Sequence, residues 1–598
     1  MKINNLFNMK HYLVPLFFLL TLSFAACGGS DDPITPTPTP EEPINPATPT
    51  TPTTPTASCQ GWPENYSGVM LQGFYWDGYA DAQWSRLESQ ADDLATTFSL
   101  VWIPQSANCG GQSMGYDDLY WFANYNSSFG TADELKSMIK TFKTKGIGTI
   151  ADVVINHRKN VSNWVDFPKE TYKGVTYELK STDIVADDDK GATKTWATKN
   201  AYQLSANNDS GEGWDGMRDL DHKSENVQNN VKAYLKMLLE DFGYAGFRYD
   251  MVKGYSGQYT QLYNNDAMPK YSVGECWDGT NTIKNWIEAT GKTSAAFDFQ
   301  FRYTVRNAAN NGDWTRLAKQ NDGNWPLVSD NYSNGSYRRY AVTFVENHDT
   351  EYRSSTASQD PLRKDTLAAN AYLLAMPGTP CVFLKHWKAY KQEIANMVAV
   401  RKAVGITNMS QPSQVASNKD YYAVQVAGDG SKKLLCVVGT TAGSYTPNGD
   451  WKKVISGYHY AYYVQGIEPS AITLPELKND EQPQDGTFNG IPSFCKVNAG
   501  EICAFFEAPV SWGSQIYTWA WMNGGDGKDY VGASWPGVSA TLIGTADNGN
   551  KVYKWTATQT KAPNNIIFSG GGNQTGDFIF TNGGYYTKDG QQGIVSVQ

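Results

Sequence analysis

Between residue 68 and about residue 406 one pattern recurs eight times: a short β-branched or aromatic run, usually followed by a longer stretch with helical periodicity. The strand-like runs fall at 69–75, 100–104, 147–155, 246–250, 272–276, 296–301, 342–346 and 380–384, with amphipathic stretches such as 227–242 and 388–404 between or after them. Parallel strands need a crossover connection, so this alternation predicts an α/β fold, and eight units predict a closed (β/α)8 barrel over about 58–406. One connection breaks the rhythm. Sixty residues rich in Asp, Thr, Lys and Trp separate Arg158 from Asp219. Ordinary connections are a handful of residues long, so about 159–218 is expected to be a subdomain inserted after the third strand, beside the face where active sites of such barrels lie.

On either side of the barrel the texture changes. Residues 407–508 carry short strand-like runs (YYAVQVA, KLLCVVG, ICAFFE) that predict an antiparallel β domain, and 509–598, dense in Trp, Tyr and Gly, predicts a terminal β-sandwich module. Residues 33–56 are a Pro/Thr run, part of a semi-rigid tether over 27–57. Before it, Lys2 and Lys10 precede an apolar stretch from Tyr12 to Phe24 and then Ala25-Ala26-Cys27, the layout of an export signal over 1–26. Small residues directly before a cysteine resemble a bacterial lipoprotein box. Cys27 is therefore the expected acylation site, which would tether the protein to a bacterial (outer) membrane; ordinary secretion or a periplasmic location is the alternative. The remaining seven cysteines show no metal spacing. Cys276 and Cys381 read as barrel residues, while Cys59 with Cys109, or Cys495 with Cys503, are conceivable pairs that the spacing leaves open.

A net charge of −10 argues against nucleic acid or an acidic surface as partner. Aromatics make up 13% of residues, with 19 Trp and 36 Tyr. That suits a partner with apolar C–H faces, such as a sugar, and suits large cores equally well. A monomer is expected.

Four strings decide between these readings: DVVINHR (152–158), GFRYDMVKG (246–254), GECWD (274–278) and FVENHD (344–349), each at the carboxyl end of a predicted strand. In the second, Arg248 and Asp250 are two apart and share a strand face. A carboxylate beside a guanidinium is favoured in its charged form and is a competent nucleophile toward an anomeric carbon. Glu275, at the end of the next strand, is the candidate general acid, needing burial near other carboxylates to stay protonated. Asp349, expected to end the seventh strand, is a third carboxylate able to stabilise developing positive charge. His157 and His348, two of six histidines, follow apolar runs and suit contacts to substrate hydroxyls. Three carboxylates so arranged suit glycosidic bond cleavage.

In their order the four strings resemble the signature regions of the α-amylase family, glycoside hydrolase family 13. So do LQGFYWD (71–77), MGYDD (114–118), MPGTPCVF (376–383) and KQEI (391–394), with the plant-type branch and its bacterial relatives most similar. The resemblance spans about 66–508. It implies Asp250 as nucleophile, Glu275 as acid/base and Asp349 as transition-state stabiliser, with Trp76, Tyr116, His157, Arg248, Lys253 and His348 as substrate contacts. Many members have Lys-His where this chain has Lys253-Gly254, a glycine that the plant-type branch tolerates, so the resemblance leaves the leaving-group contacts and the product sizes open. The resemblance also implies a structural Ca2+ held by Asn156, Asp219 and the carbonyl of Gly254, an oxygen-only set that suits this cation; the acidic run 187–189 is read as a solvated loop, with a contribution to this site as the alternative.

In the terminal module, QIYTWAWM (515–522) puts Tyr517, Trp519 and Trp521 on one strand face, and SWPGV (534–538) follows. These resemble carbohydrate-binding module family 26, implying starch contacts from Trp519, Trp521 and Trp535, with Asn573 or Gln574 bonding hydroxyls. The whole reads as a retaining endo-acting α-amylase acting on starch and related α-glucans. The alternatives are an exo-acting maltodextrin hydrolase or glucanotransferase of the same family, and a non-catalytic starch-capture lipoprotein.

Overall fold

The computed structural model describes residues 59–331, 335–354, 359–477, 490–523 and 525–597. The signal, Cys27 and the Pro/Thr run lie outside them. No helix among the described residues is long and apolar enough to cross a membrane.

Eight parallel strands close into a barrel in sequence order: Met70–Gln72, Leu100–Ile103, Gly148–Val153, Gly246–Tyr249, Tyr271–Gly274, Ala295–Phe297, Ala341–Thr343 and Thr379–Phe383. All their residues but Gly148 are buried, as a sheet enclosed by helices requires. The intervening helices form where apolar spacing and caps agree. In Ala132–Thr144, Leu135, Met138, Ile139 and Phe142 bury one face, and Thr131 with Glu134 closes a reciprocal capping box at its start.

Three predicted boundaries are corrected. The sixth strand stops at Phe297 rather than 301, because Asp298 accepts the backbone N–H of Phe301 and starts a helix at Phe299. The seventh stops at Thr343, so Asp349 lies in the following loop instead of at the strand end. The stretch predicted as one helix over 388–404 is two, Leu384–Ala389 and Lys391–Val404, broken at Tyr390, whose backbone is non-helical.

The insert is fastened at its base by a two-stranded pairing of His157–Arg158 with Arg218–Asp219. After the barrel comes a five-stranded antiparallel sheet built from Pro412–Ser417, Tyr422–Ala427, Lys433–Val438, Lys452–Gly457 and Tyr460–Gln465. The strand Cys503–Ala508, which its position in the sequence assigns to this domain, belongs elsewhere. It is antiparallel to Lys551–Thr556 and parallel to Gly584–Thr587, at the centre of one sheet of the terminal sandwich. All six of its residues are buried, so it needs layers on both faces, which the 412–465 sheet does not offer it. The sandwich is filled by Phe506, Trp512, Trp555, Phe568 and Tyr586. It meets the barrel through Lys551 Nζ–Glu134 Oε1 (3.0 Å) and Ser514 Oγ–Gln83 Oε1 (3.4 Å). All seven described cysteines are buried and unbridged, so neither conceivable pair forms.

Candidate active site

Barrel register decides which side chains meet. Val153 is level with Tyr249, and Tyr249 with Gly274. The residues immediately following the fourth and fifth strands, Asp250 and Glu275, therefore emerge side by side at the carboxyl end. Asp152 is level with Arg248, and both are buried. The Arg248 guanidinium binds all three carboxylates: Nη1 lies 2.8 Å from Asp152 Oδ1 and 2.6 Å from Asp250 Oδ1, and Nη2 lies 3.0 Å from Glu275 Oε2. Trp102 and Tyr116 lie against the guanidinium, 4.9 Å and 5.8 Å from it to their ring centroids.

Glu275 also accepts the backbone N–H of Met251 (3.0 Å). Met251 has φ 43°, a left-handed conformation unusual for a side chain of this kind, and it turns that N–H back toward the site. Burial raises the pKa of both catalytic candidates. Opposition from Arg248 leaves Asp250 at about 6, while Glu275, facing the charges of Asp250 and Asp349, rises to about 8. Two carboxyls pushed apart in this way are suited to serve as a nucleophile and an acid. Trp277, two residues beyond Glu275, stacks on Phe299 (4.9 Å, 17°), and its indole N–H donates to Tyr303 Oη.

Around this pair the other predicted residues converge. His348 Nδ1 accepts from Gln72 Nε2 (2.9 Å), leaving Nε2 as the protonated nitrogen, 2.7 Å from Tyr116 Oη and 3.1 Å from Asp349 Oδ2. Tyr116 Oη in turn donates to Asp152 Oδ2 (2.9 Å). Burial holds His157 and His348 neutral, both at about 4. His157 Nε2 sits 3.1 Å from the Tyr116 carbonyl, and its ring leans on Trp214 of the insert (4.4 Å). The Trp76 ring is nearly parallel to that of Tyr116 (6.1 Å, 4°), and the Trp76 backbone N–H donates to Glu351 Oε1 (2.8 Å). Lys253 bridges Glu212 of the insert and Asp278, each at 2.9 Å.

Sequence reasoning missed three participants. Asp152 was legible as the first residue of DVVINHR, on the inward face of its strand. Gln72 orients His348 from the first strand. Arg353 covers Trp76 at 3.9 Å, bonds the His348 carbonyl (2.5 Å) and approaches Asp349 (3.4 Å). It lies in an irregular loop, where no periodicity pointed to it.

At the junction of insert and barrel, Asn156 Nδ2 approaches Asp219 Oδ1 (3.3 Å), and the Asn156 amide oxygen packs so tightly on Gly254 that a Cβ there would lie 2.0 Å from it. Asp219 is raised to about 8 by burial and by Asp188, Asp209 and Asp189. Asp209 Oδ2 is buried without a hydrogen-bond partner. No cluster of three or more His, Cys, Asp or Glu suited to a metal occurs among the described residues. The candidate donors, the Asp209 and Asp219 carboxylates, the Asn156 amide and the Gly254 carbonyl, are all oxygens, and the unpartnered Asp209 Oδ2 suits a hard cation.

In the module, Tyr517, Trp519 and Trp521 alternate with buried Thr518 and Ala520 and face outward, partly exposed. Trp535 is half exposed and packs edge-on to Trp519 (5.6 Å). Asn573 and Gln574 form a short exposed strand.

Compared with known protein families, residues 101–386 match the alpha amylase catalytic domain, and residues 504–580 match starch-binding module 26. The second match begins inside the Cys503–Ala508 strand. Over 418 residues the chain is 28% identical to Probable alpha-amylase 2 of Arabidopsis thaliana, covering 66% of this chain and 93% of that one. It is 31% identical over 422 residues to Alpha-amylase 3, chloroplastic, of the same plant, covering 66% of this chain and 43% of that protein. Glucan 1,4-alpha-maltotetraohydrolase of Roseateles saccharophilus is 27% identical over 410 residues, covering 62% and 67% respectively.

Proposed function

We propose that this chain, a glycoside hydrolase of the α-amylase family with an appended starch-binding module, cleaves α-1,4-glucosidic bonds within starch chains and retains the anomeric configuration. The observation that carries this reading is one buried guanidinium, Arg248, holding Asp250 and Glu275 together at the ends of adjacent strands. A shared partner favours the short separation (~5–5.5 Å) of retaining enzymes over the wider gap that admits a water. Asp250 attacks the anomeric carbon as Glu275 protonates the departing glycosidic oxygen. Glu275, now a carboxylate, then takes a proton from the water that releases the sugar from Asp250. Asp349 and neutral His348 bind hydroxyls of the same sugar over Tyr116. Sizing the products of amylose over time tests the reading: a spread of oligosaccharides early in the reaction is expected. A single short product released from chain ends would make the enzyme exo-acting.

The same reading assigns Asn156, Asp209, Asp219 and the Gly254 carbonyl to a calcium ion that joins the insert to the barrel. Bound only by the folded state, it would stabilise the protein by about 2.7 kcal/mol at a hundredfold excess over Kd. Chelation is expected to lower Tm by several degrees in the parent and much less in Asp209→Ala. An unchanged Tm in the parent would exclude the ion.

A further inference from the structure

The insert carries an aromatic surface that neither the cleft nor the terminal module accounts for. Trp164, Trp196 and Tyr202 form a row. The first two rings are 6.3 Å apart with planes 9° from parallel, the next two 5.8 Å and 20°. Near-parallel rings at such distances are offset, not face to face, so each leaves much of its own face uncovered. Trp164 remains 39% and Tyr202 44% exposed.

The row is held in place from behind. The Arg218 guanidinium lies under Trp164 (5.1 Å to the centroid) and is itself buried and bound by Asp188 and Asp189. The loop bearing Trp164 is tied by Asp166, which accepts the backbone N–H groups of Val161, Ser162 and Asn163. Trp196 projects from the helix Ala192–Lys199, and the Tyr202 N–H donates to Ala197 O (2.8 Å) at that helix's end. Lys199 and Asn200, exposed three and four residues after Trp196, add polar groups on the same helix face.

A rigid, partly exposed aromatic row rimmed by polar groups suits a ligand that alternates apolar C–H faces with hydroxyls. The rows of such faces run along the polymer that the reading above makes the substrate. We propose that Trp164, Trp196 and Tyr202 form a secondary binding surface for an α-glucan chain, separate from the cleft and from the module. This rests on the proposed function. Its role is to raise the effective concentration of polymer near the cleft, leaving the chemistry unchanged.

The test is affinity electrophoresis of the full-length protein in native gels containing amylopectin, in an Asp250→Asn background so that the gel is not digested. Trp164→Ala with Tyr202→Ala is expected to weaken retardation about three- to tenfold, the scale of one or two ring contacts. Tyr202→Ala alone should give part of that loss. Hydrolysis of a short soluble maltooligosaccharide by Tyr202→Ala in the otherwise native chain should be unchanged. Equal retardation of parent and variants overturns the proposal. So does a change in oligomeric state on gel filtration without a change in retardation, which would make the row a contact between copies of the chain. If the double variant melts several degrees lower, Tyr202→Ala, at the outer end of the row, decides the matter. Because retardation is read on an inactive chain, it judges the row independently of turnover; a native chain that hydrolyses no α-glucan would defeat the function proposed above and leave this measurement valid.

Discussion

Asp250→Asn is expected to reduce hydrolysis at least about a thousandfold, some 4 kcal/mol in barrier, while folding and adsorption to starch granules persist. The amide keeps the shape of the carboxyl but cannot form the covalent ester. The fold tolerates the change because Arg248 retains Asp152 and Glu275 as partners, so no buried charge is left unpaired. Turnover above about a thousandth of the parent's would remove Asp250 as nucleophile. Fresh product from the parent should be the α-anomer by NMR, and the β-anomer would overturn retention. The pH profile carries the same logic. With Asp250 as nucleophile and Glu275 as acid, as proposed, activity requires Asp250 charged and Glu275 protonated. It should therefore fall as pH drops through about 6, where the nucleophile takes up a proton, and as pH rises through about 8, where the acid loses one. These limbs belong to the pair as a unit. Glu275→Gln should abolish the alkaline limb along with most of the activity on substrates with poor leaving groups.

Truncation gives the second large effect, and its sign depends on where the cut falls. Removing 509–598 leaves Cys503–Ala508 without either neighbouring strand. Phe505 and Phe506, both fully buried, would meet solvent at a cost of about 1.5–3 kcal/mol each, and two unpaired strand edges would be open to other molecules. That protein is expected to aggregate. Ending the chain before Ile491 removes the whole sandwich instead. The barrel then loses mainly the partly exposed Lys551–Glu134 pair, worth at most about 1 kcal/mol. This shorter protein should stay soluble and hydrolyse a short maltooligosaccharide within about twofold of the parent, while granule adsorption falls about tenfold as one of the linked sites is lost. Solubility of the 509 cut equal to that of the 491 cut would show the strand to be dispensable. Equal loss of activity on short and granular substrates would make the module a support for the barrel.

The sequence by itself determined the eight-unit barrel, the insert, and the identity of Asp250, Glu275 and Asp349 as candidates. It could do so because strand alternation and strand-to-helix rhythm are local properties, written every second or every third to fourth residue. Arg248 and Asp250 were readable as one face of one strand for the same reason. Tertiary structure alone decided which residues meet across the barrel. The register that sets Asp152 level with Arg248, and Gly274 level with Tyr249, depends on the packing of strands that can lie nearly a hundred residues apart, and no local period encodes it. Arg353 over Trp76, Gln72 on His348 and the orphaned Asp209 oxygen come from loops or distant strands brought together only on closure. The strand Cys503–Ala508 shows the limit most plainly. Its run of buried residues announces a strand, but whether it joins the sheet before it or the sandwich after it turns on which partners can cover both of its faces, and only the folded chain supplies them.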